Sequence, residues 1–292
     1  MILCLALSPS VDVTYLVPGF AIGEVNRTES VVRVPGGKGL NVARAALQLG
    51  ADVAAVAPLG GSSGEWIASS VPGLDLRVVP VDAPTRSCHI IVDPLGSSPV
   101  STDLYEPAAE LSSAELAAVG AAALAVTGSG WLALSGSVRA PLDELASLLE
   151  QLRSRGWQLA LDTHGDALAR LLPLADLVKV NVAEASALVG GGTDAAALAA
   201  TLAGYGGSRR SAVVTDGVRG AAAVSSDGSV HSSAPARRGI HPVGSGDAFF
   251  AGLLTSLDAA PPPATLVTAL RAATAAAERN ALTPGPGILA PE

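Results

Sequence analysis

The chain is poor in aromatic residues: Phe, Trp and Tyr make up 3% of its 292 residues. A core without large rings must be filled by Ala, Leu and Val, which dominate the 49% apolar content. Such a core suits helices packed closely on a Val-rich sheet. Cysteine is nearly absent. Cys4 and Cys88 sit in apolar runs, and no Cys or His pair has metal-ligand spacing. A disulfide scaffold and a zinc module are thereby excluded; buried free thiols are expected, in keeping with a reducing cytoplasm. His89, His164, His231 and His241 are scattered and read as structural or surface residues. Basic residues are also few, with 18 Lys and Arg against 26 Asp and Glu, for a net charge of −8. No nucleic-acid partner is expected, because its phosphates demand a basic stripe. A few local cations can still hold a small phosphorylated molecule. No uncharged apolar run reaches the length of a bilayer span, so no membrane partner is expected. Met1–Leu7 lacks a basic flank and reads as a buried first strand.

What is present is alternation. Strand-like runs at Ile2–Leu7, Asp52–Ala57, Leu132–Leu134, Gln158–Leu161, Leu177–Val180 and Ser211–Thr215 are separated by helix-like runs. These are Leu40–Leu49, Ala114–Ala125, Leu142–Leu152, Glu184–Leu188 and Ala195–Leu202, with a further alanine-rich helix near Ala272–Ala277. Repeated strand-then-helix predicts an α/β fold with a mostly parallel central sheet covered on both faces. Ligands of such folds gather beyond the carboxyl ends of the strands. Asp12, Ser135–Ser137, Asp162, Asn181 and Asp216 follow predicted strands and should share one rim. Two segments, about 12–35 and 86–105, break the rhythm with β-branched runs such as Thr28–Val34 and Ser87–Val92; they predict a small extra sheet. Pro261–Pro263 is expected to separate two C-terminal helices, and Pro284-Gly-Pro-Gly287 to begin an irregular tail.

Two glycine clusters carry the chemistry. In His241-Pro-Val-Gly244-Ser245-Gly246-Asp247-Ala-Phe-Phe-Ala-Gly252, two glycines bracket a serine, an aspartate follows, and a small apolar run opens a helix. Unpaired N–H groups of a helix's first turn favour an anion. Asp247 beside them would be a base at an anion site, the two parts that phosphoryl transfer to an alcohol needs. The second cluster, Pro35-Gly36-Gly37-Lys38-Gly-Leu-Asn41-Val-Ala-Arg44, also leads into a helix. It is no Walker A loop, because no Ser or Thr follows the Lys. Its glycines would let a polyol lie against the backbone, with Lys38 and Asn41 as donors.

Together and in this order, the clusters resemble the two signatures of the ribokinase-like (PfkB) carbohydrate kinases. Ser8-Pro-Ser-Val-Asp12, Gly23-Glu-Val-Asn-Arg27, Thr85-Arg86-Ser-Cys88, Ser135-Gly-Ser137 and Lys179-Val-Asn181-Val-Ala-Glu184 are similar to motifs of the hexose-phosphate branch, the 1-phosphofructokinase and tagatose-6-phosphate kinase type. The resemblance implies a three-layer α/β/α sandwich over residues 1–292. It also implies a small β-sheet lid, which in many members is a homodimer surface.

It further implies an ATP-dependent kinase with Asp247 as base and the Gly244, Ser245, Gly246 and Asp247 N–H groups as anion hole. Asp12, Gly36, Gly37, Lys38, Asn41 and Ser137 would contact the sugar; Arg27, Lys38 and Arg86 are candidate cations for a phosphate already on it. Lys179, Asn181, Thr215, Gly217, Gly220 and Asn280 would serve the nucleotide, and Glu184 would hold Mg²⁺ through water. The other reading of Glu184 is a helix-dipole acid. Ser8, Val180, Val138-Arg139 and His241 depart from the branch pattern, and Ile90 stands where 1-phosphofructokinases place Lys. Tagatose 6-phosphate or a fructose phosphate is the expected substrate. A kinase of an unphosphorylated sugar or nucleoside, and a sugar-binding protein without turnover, remain as alternatives.

Overall fold

The computed structural model describes residues 1–95, 100–207, 210–225, 228–259 and 265–291. In chain order the first half contains β1 (Ile2–Leu5), β2 (Ser10–Leu16), β3 (Ser30–Gly36), α1 (Lys38–Gln48), β4 (Val53–Leu59), α2 (Gly61–Ser69), β5 (Asp75–Pro80), β6 (Arg86–Asp93), β7 (Val100–Tyr105) and α3 (Ser113–Leu124). The second half contains β8 (Gly130–Ser135), α4 (Leu142–Ser154), β9 (Trp157–Asp162), α5 (Gly165–Leu171), β10 (Leu177–Asn181), α6 (Val182–Val189), α7 (Ala195–Ala203), β11 (Ser211–Thr215), β12 (Ala221–Val224), β13 (Val230–Ser233), α8 (Ser245–Asp258) and α9 (Leu266–Ala281). The predicted break at Pro261–Pro263 lies outside the described residues.

The large sheet has the order β13-β12-β11-β10-β9-β8-β1-β4-β5. Its strands run parallel from β5 through β11, and β12 alone is reversed, pairing antiparallel with both β11 and β13. Alternation along each strand feeds two cores. On β1, Leu3 and Leu5 join α3, α4 and α7 on one face, while Ile2 and Cys4 join α1, α8 and α9 on the other. This is the ribokinase-like three-layer arrangement. Leu, Val and Ala supply nearly all of both cores, as the scarcity of rings requires. Cys4 and Cys88 are buried free thiols, and burial pushes the Cys4 thiol up to about 12. Among the described residues no helix is long and apolar enough to cross a membrane, and no cluster of metal-ligating side chains occurs.

The two segments that broke the rhythm form the second sheet, order β3-β2-β6-β7. β2 begins at Ser10, directly after the large sheet's first strand, so Asp12 points from the rim into the smaller sheet's base. At that end Ser10 pairs with Gly36 and with Arg86; at the other, Leu16 pairs with Ser30 and Val92. β5, α2, α5, β12 and β13 had no sequence counterpart. The Pro284–Gly287 segment is irregular as expected, but Gly285, Pro286 and Gly287 are buried. It packs where α1 and α8 begin.

Candidate active site

The strand ends set the rim. Ser135 of β8 is level with Asp162 of β9, and Asn181 of β10 with Thr215 of β11. From the other layer α1 and α8 bring their first turns to the same rim. Gly36 and Gly37 end β3 and open α1. A Cβ on Gly36 would lie 2.1 Å from the Asp12 carboxyl carbon, so only glycine lets that carboxylate sit over the turn. Asp12 accepts from Ser10 Oγ at 2.6 Å, and at 3.4 Å from both Gly37 N–H and Asn41 Nδ2. Burial raises its carboxyl above the usual range despite those donors.

Asn41 is the hinge of the site. The same Nδ2 that meets Asp12 donates to Asp247 Oδ2 at 2.9 Å. Asp247, in the first turn of α8, is buried, and burial pushes its carboxyl up to about 7. Lys38, Asn41 and Lys179 pull the other way, while Asp162 adds to the rise. A carboxylate with that proton affinity would suit general-base work near neutral pH.

The turn before α8 is tight. Gly244 has φ of 85°, Ser245 N–H donates to Pro242 O at 3.1 Å, and Asp247 N–H to Gly244 O at 3.1 Å. Two of the four N–H groups expected in the anion hole are thus engaged within the turn. Among the described residues those of Gly244 and Gly246 meet no acceptor, and they are the donors left for an anion. Lys179 supplements them, since a Cβ on Gly246 would lie 3.1 Å from its Nζ.

Asn280, expected near the base of a nucleotide, is fully buried. Its Nδ2 donates to Val243 O at 2.9 Å and its Oδ1 accepts from Gly287 N–H at 2.8 Å. It clamps the turn to the Pro284–Gly287 segment. Asn181 and Glu184 form a reciprocal capping box on α6: Glu184 N–H donates to Asn181 Oδ1 at 2.8 Å, and Asn181 N–H to Glu184 Oε2 at 2.9 Å. The other oxygen, Oε1, lies 3.7 Å from Lys38 Nζ.

A cavity of about 320 Å³ opens beside this rim, lined by Asn181, Thr215, Gly217, Gly220, Ser245 and Gly246 among others. Its size suits a drug-sized ligand, and Phe249, Ala277 and Ala281 give it an apolar wall. Lys38, Asp162 and Lys179 complete the rim as a charge cluster. Asp162 was legible as a rim residue but not as a partner of lysines from two other elements.

Of the remaining candidates, Arg86 and Arg27 belong to the smaller sheet and its connections, and Ser137 follows β8. Arg86 starts β6 beside Ser10; its Nη1 donates to Glu106 O at 2.9 Å, and its buried Nε has no partner among the described residues. Ser137 is joined to the rim through Ser8, whose Oγ donates to its carbonyl at 2.7 Å. Arg27 lies on the exposed β2–β3 connection, beyond the Leu16 end of the hairpin and away from Asp12. It is not brought together with the others within this chain.

The profile of the family described as pfkB family carbohydrate kinase matches residues 1–292, and the chain belongs to that family. Among solved structures it resembles phosphofructokinase-2 from Escherichia coli in complex with fructose-6-phosphate, with 27% identity, a TM-score of 0.85, and 96% of this chain and 93% of that one covered. The tetrameric inhibited form of the same enzyme gives 27% identity and a TM-score of 0.84, covering 96% and 94%. A Thermotoga maritima structure described as a possible 1-phosphofructokinase shares the fold at 20% identity, with a TM-score of 0.85 and coverage of 99% and 94%. A sugar-binding protein without turnover is set aside on these grounds.

Proposed function

We propose that the enzyme transfers the γ-phosphoryl group of ATP to a hydroxyl of a hexose phosphate, tagatose 6-phosphate or a fructose phosphate. The observation that carries this reading is the single Asn41 amide shared by Asp12 and Asp247. It ties a sugar-facing carboxylate to a buried base, so the hydroxyl that Asp247 deprotonates belongs to the molecule Asp12 holds. As the bond to phosphorus forms, the hydroxyl proton passes to Asp247. Developing charge on the phosphoryl oxygens meets the Gly244 and Gly246 N–H groups and the Lys179 ammonium. ATP would occupy the 320 Å³ cavity, its triphosphate toward Gly246. Arg86, beside Ser10, is the cation for the phosphate already on the sugar. The smaller sheet would close over the sugar as a lid, the whole of residues 1–292 acting as one kinase unit.

Mg²⁺ fits Glu184 only through water. One carboxylate oxygen is spent on the Asn181 N–H and the other faces Lys38, while Mg²⁺ commonly retains several waters. When bound, the ion neutralises charge on the β- and γ-phosphates. Glu184→Gln should raise the Mg²⁺ concentration for half-maximal activity and leave substrate KM at saturating Mg²⁺ little changed. If Glu184 is only a cap and dipole residue, the variant loses up to about 1 kcal/mol of stability and titrates with Mg²⁺ like the wild type.

Arg86→Ala should raise KM for the sugar phosphate far more than KM for ATP. A lost charge-assisted bond to phosphate costs on the order of 1.5–3 kcal/mol, or roughly 10–10²-fold. If both constants rise together, Arg86 is a folding residue. The second reading, an unphosphorylated sugar or nucleoside, is favoured by the position of Arg27, remote from Asp12. An ATP-consumption screen over fructose 1-phosphate, fructose 6-phosphate, tagatose 6-phosphate and free ketohexoses separates the two. Turnover confined to the free sugars would defeat the hexose-phosphate reading.

The exposed Val31, Leu104 and Tyr105 of the smaller sheet support a homodimer formed through it, since apolar sheet surface is otherwise a liability. Sedimentation of the wild type against a Leu104→Lys variant tests this; a wild-type monomer at micromolar concentration would remove the dimer.

A further inference from the structure

Asp162 ends β9 with no exposed surface, and its two carboxylate oxygens are divided between two lysines. Oδ2 lies 3.0 Å from Lys179 Nζ on β10, and Oδ1 lies 3.5 Å from Lys38 Nζ on α1. Its main chain is built into the same rim. The Asp162 carbonyl accepts from Gly136 N–H at 2.9 Å, and Thr163 Oγ1 donates to the Gly136 carbonyl at 2.8 Å. Gly136 in turn lies over the Lys38 stem, where a Cβ would meet the Lys38 Cβ at 3.3 Å. Lys179 itself is 4% exposed, and its ammonium abuts Gly246. A buried cation keeps its charge only with a counter-ion, and among the described residues Asp162 is the carboxylate that forms an ion pair with both.

We infer that Asp162 is a positioning residue: one sealed carboxylate holds the Lys38 and Lys179 ammoniums on either side of the route from the α8 turn to Asp247. It touches neither substrate and works through the lysines. The inference rests on Asp247 being the base. Charge balance around that base follows from the arrangement. Facing Asp247 are Lys38 and Asn41 from α1, Asp162 from β9 and Lys179 from β10. Asp12 of β2 reaches it through Asn41, Arg44 of α1 acts on Asp12, and Glu184 of α6 acts on Lys38. Removing the Asp162 charge takes a repelling carboxylate away from Asp247 and leaves the two lysines less neutralised, which favours the ionised form of Asp247. Removing the Lys38 charge does the reverse.

The test is the pH profile of kcat for purified full-length enzyme with saturating sugar and Mg²⁺-ATP. Asp162→Asn should lower kcat by roughly 10–10²-fold, because misplaced groups cost that much. Its acid limb should also move about one pH unit lower, the size that a nearby buried charge imposes. Lys38→Met should move the acid limb about one unit higher. A lowered melting temperature with a wild-type profile in Asp162→Asn would make the residue merely structural and overturn the inference. If that variant fails to fold, an unmoved acid limb in Lys38→Met overturns it instead. Failure of the base reading looks different: Asp247→Asn would keep its turnover whatever the other variants do, and the positioning role would fall with it.

Discussion

Asp247→Asn should bind ATP and sugar almost as the wild type does, while kcat falls by roughly 10²–10⁴-fold, the share of a general base. The variant is a clean probe because the carboxamide oxygen can still accept from Asn41 Nδ2, which now lies 2.9 Å from Asp247 Oδ2. Isothermal titration alongside steady-state kinetics checks both halves; comparable turnover would remove Asp247 from the mechanism. The same substitution has a consequence for stability with a definite sign. Burial raises the Asp247 carboxyl to about 7 in the folded chain, against about 3.9 when unfolded. Below pH 4 both states hold the proton and the group is neutral to stability. As pH rises from 4 to 7 only the unfolded state ionises freely, so the fold loses stability, by at most on the order of 4 kcal/mol above pH 7. Asp247→Asn should therefore melt higher than the wild type at pH 8, with the gain vanishing near pH 4. A melting-temperature difference that is flat with pH would show that the carboxylate is not under this strain.

Gly244→Ala should damage the fold and the chemistry together. Gly244 has φ of 85°, and a Cβ there would lie 2.6 Å from Pro286 Cα and 2.9 Å from Gly287 N. The left-handed backbone costs a non-glycine residue about 1–2 kcal/mol, and forcing backbone apart costs about 1–3 kcal/mol more. Well below its melting point the variant should still show kcat reduced by about 10²-fold, as expected for a displaced anion donor. Pre-steady-state phosphoryl transfer and a thermal melt make the measurement. Wild-type values in both would mean that the Pro284–Gly287 segment yields readily and does not support the turn.

Strand-then-helix alternation made most of the parallel sheet and its rim readable, because the inner parallel strands are largely apolar; β5, an edge strand with Asp75 and Arg77, lacks that signal. β12 escaped notice for a physical reason. Ala221-Ala-Ala-Val224 has the composition of a helix, and it is extended only because β11 and β13 pair with it on both sides. α2 was hidden by a Gly-Ser-rich start with little helical period. Within the candidate site, the residues named from compact motifs, Asp247, Lys38, Asn41 and Glu184, come together at one rim. The capping box that Glu184 forms with Asn181 is the one that the Asn-x-x-Glu spacing allows. Asp162 was seen at a strand end but not as a partner, because its lysines come from β10 and α1 and no local pattern joins them. Asn280 was expected to face a ligand and instead is a buried clamp; a buried Asn and a ligand-facing Asn look alike in sequence.

The bond from Asn41 to Asp247 spans 206 positions of the chain, and Arg44 reaches Pro286 across 242. Contacts of such separation are closed late, since the loop entropy they cost is recovered only once much of the chain is in place. During refolding from denaturant, far-UV ellipticity should therefore return well before phosphotransfer. With Asp247 as the proposed base, an intermediate with its helices and strands already formed would still hold it out of register with Asn41. Activity should then stay silent until the two ends have met, and the lag between the two signals would time that meeting.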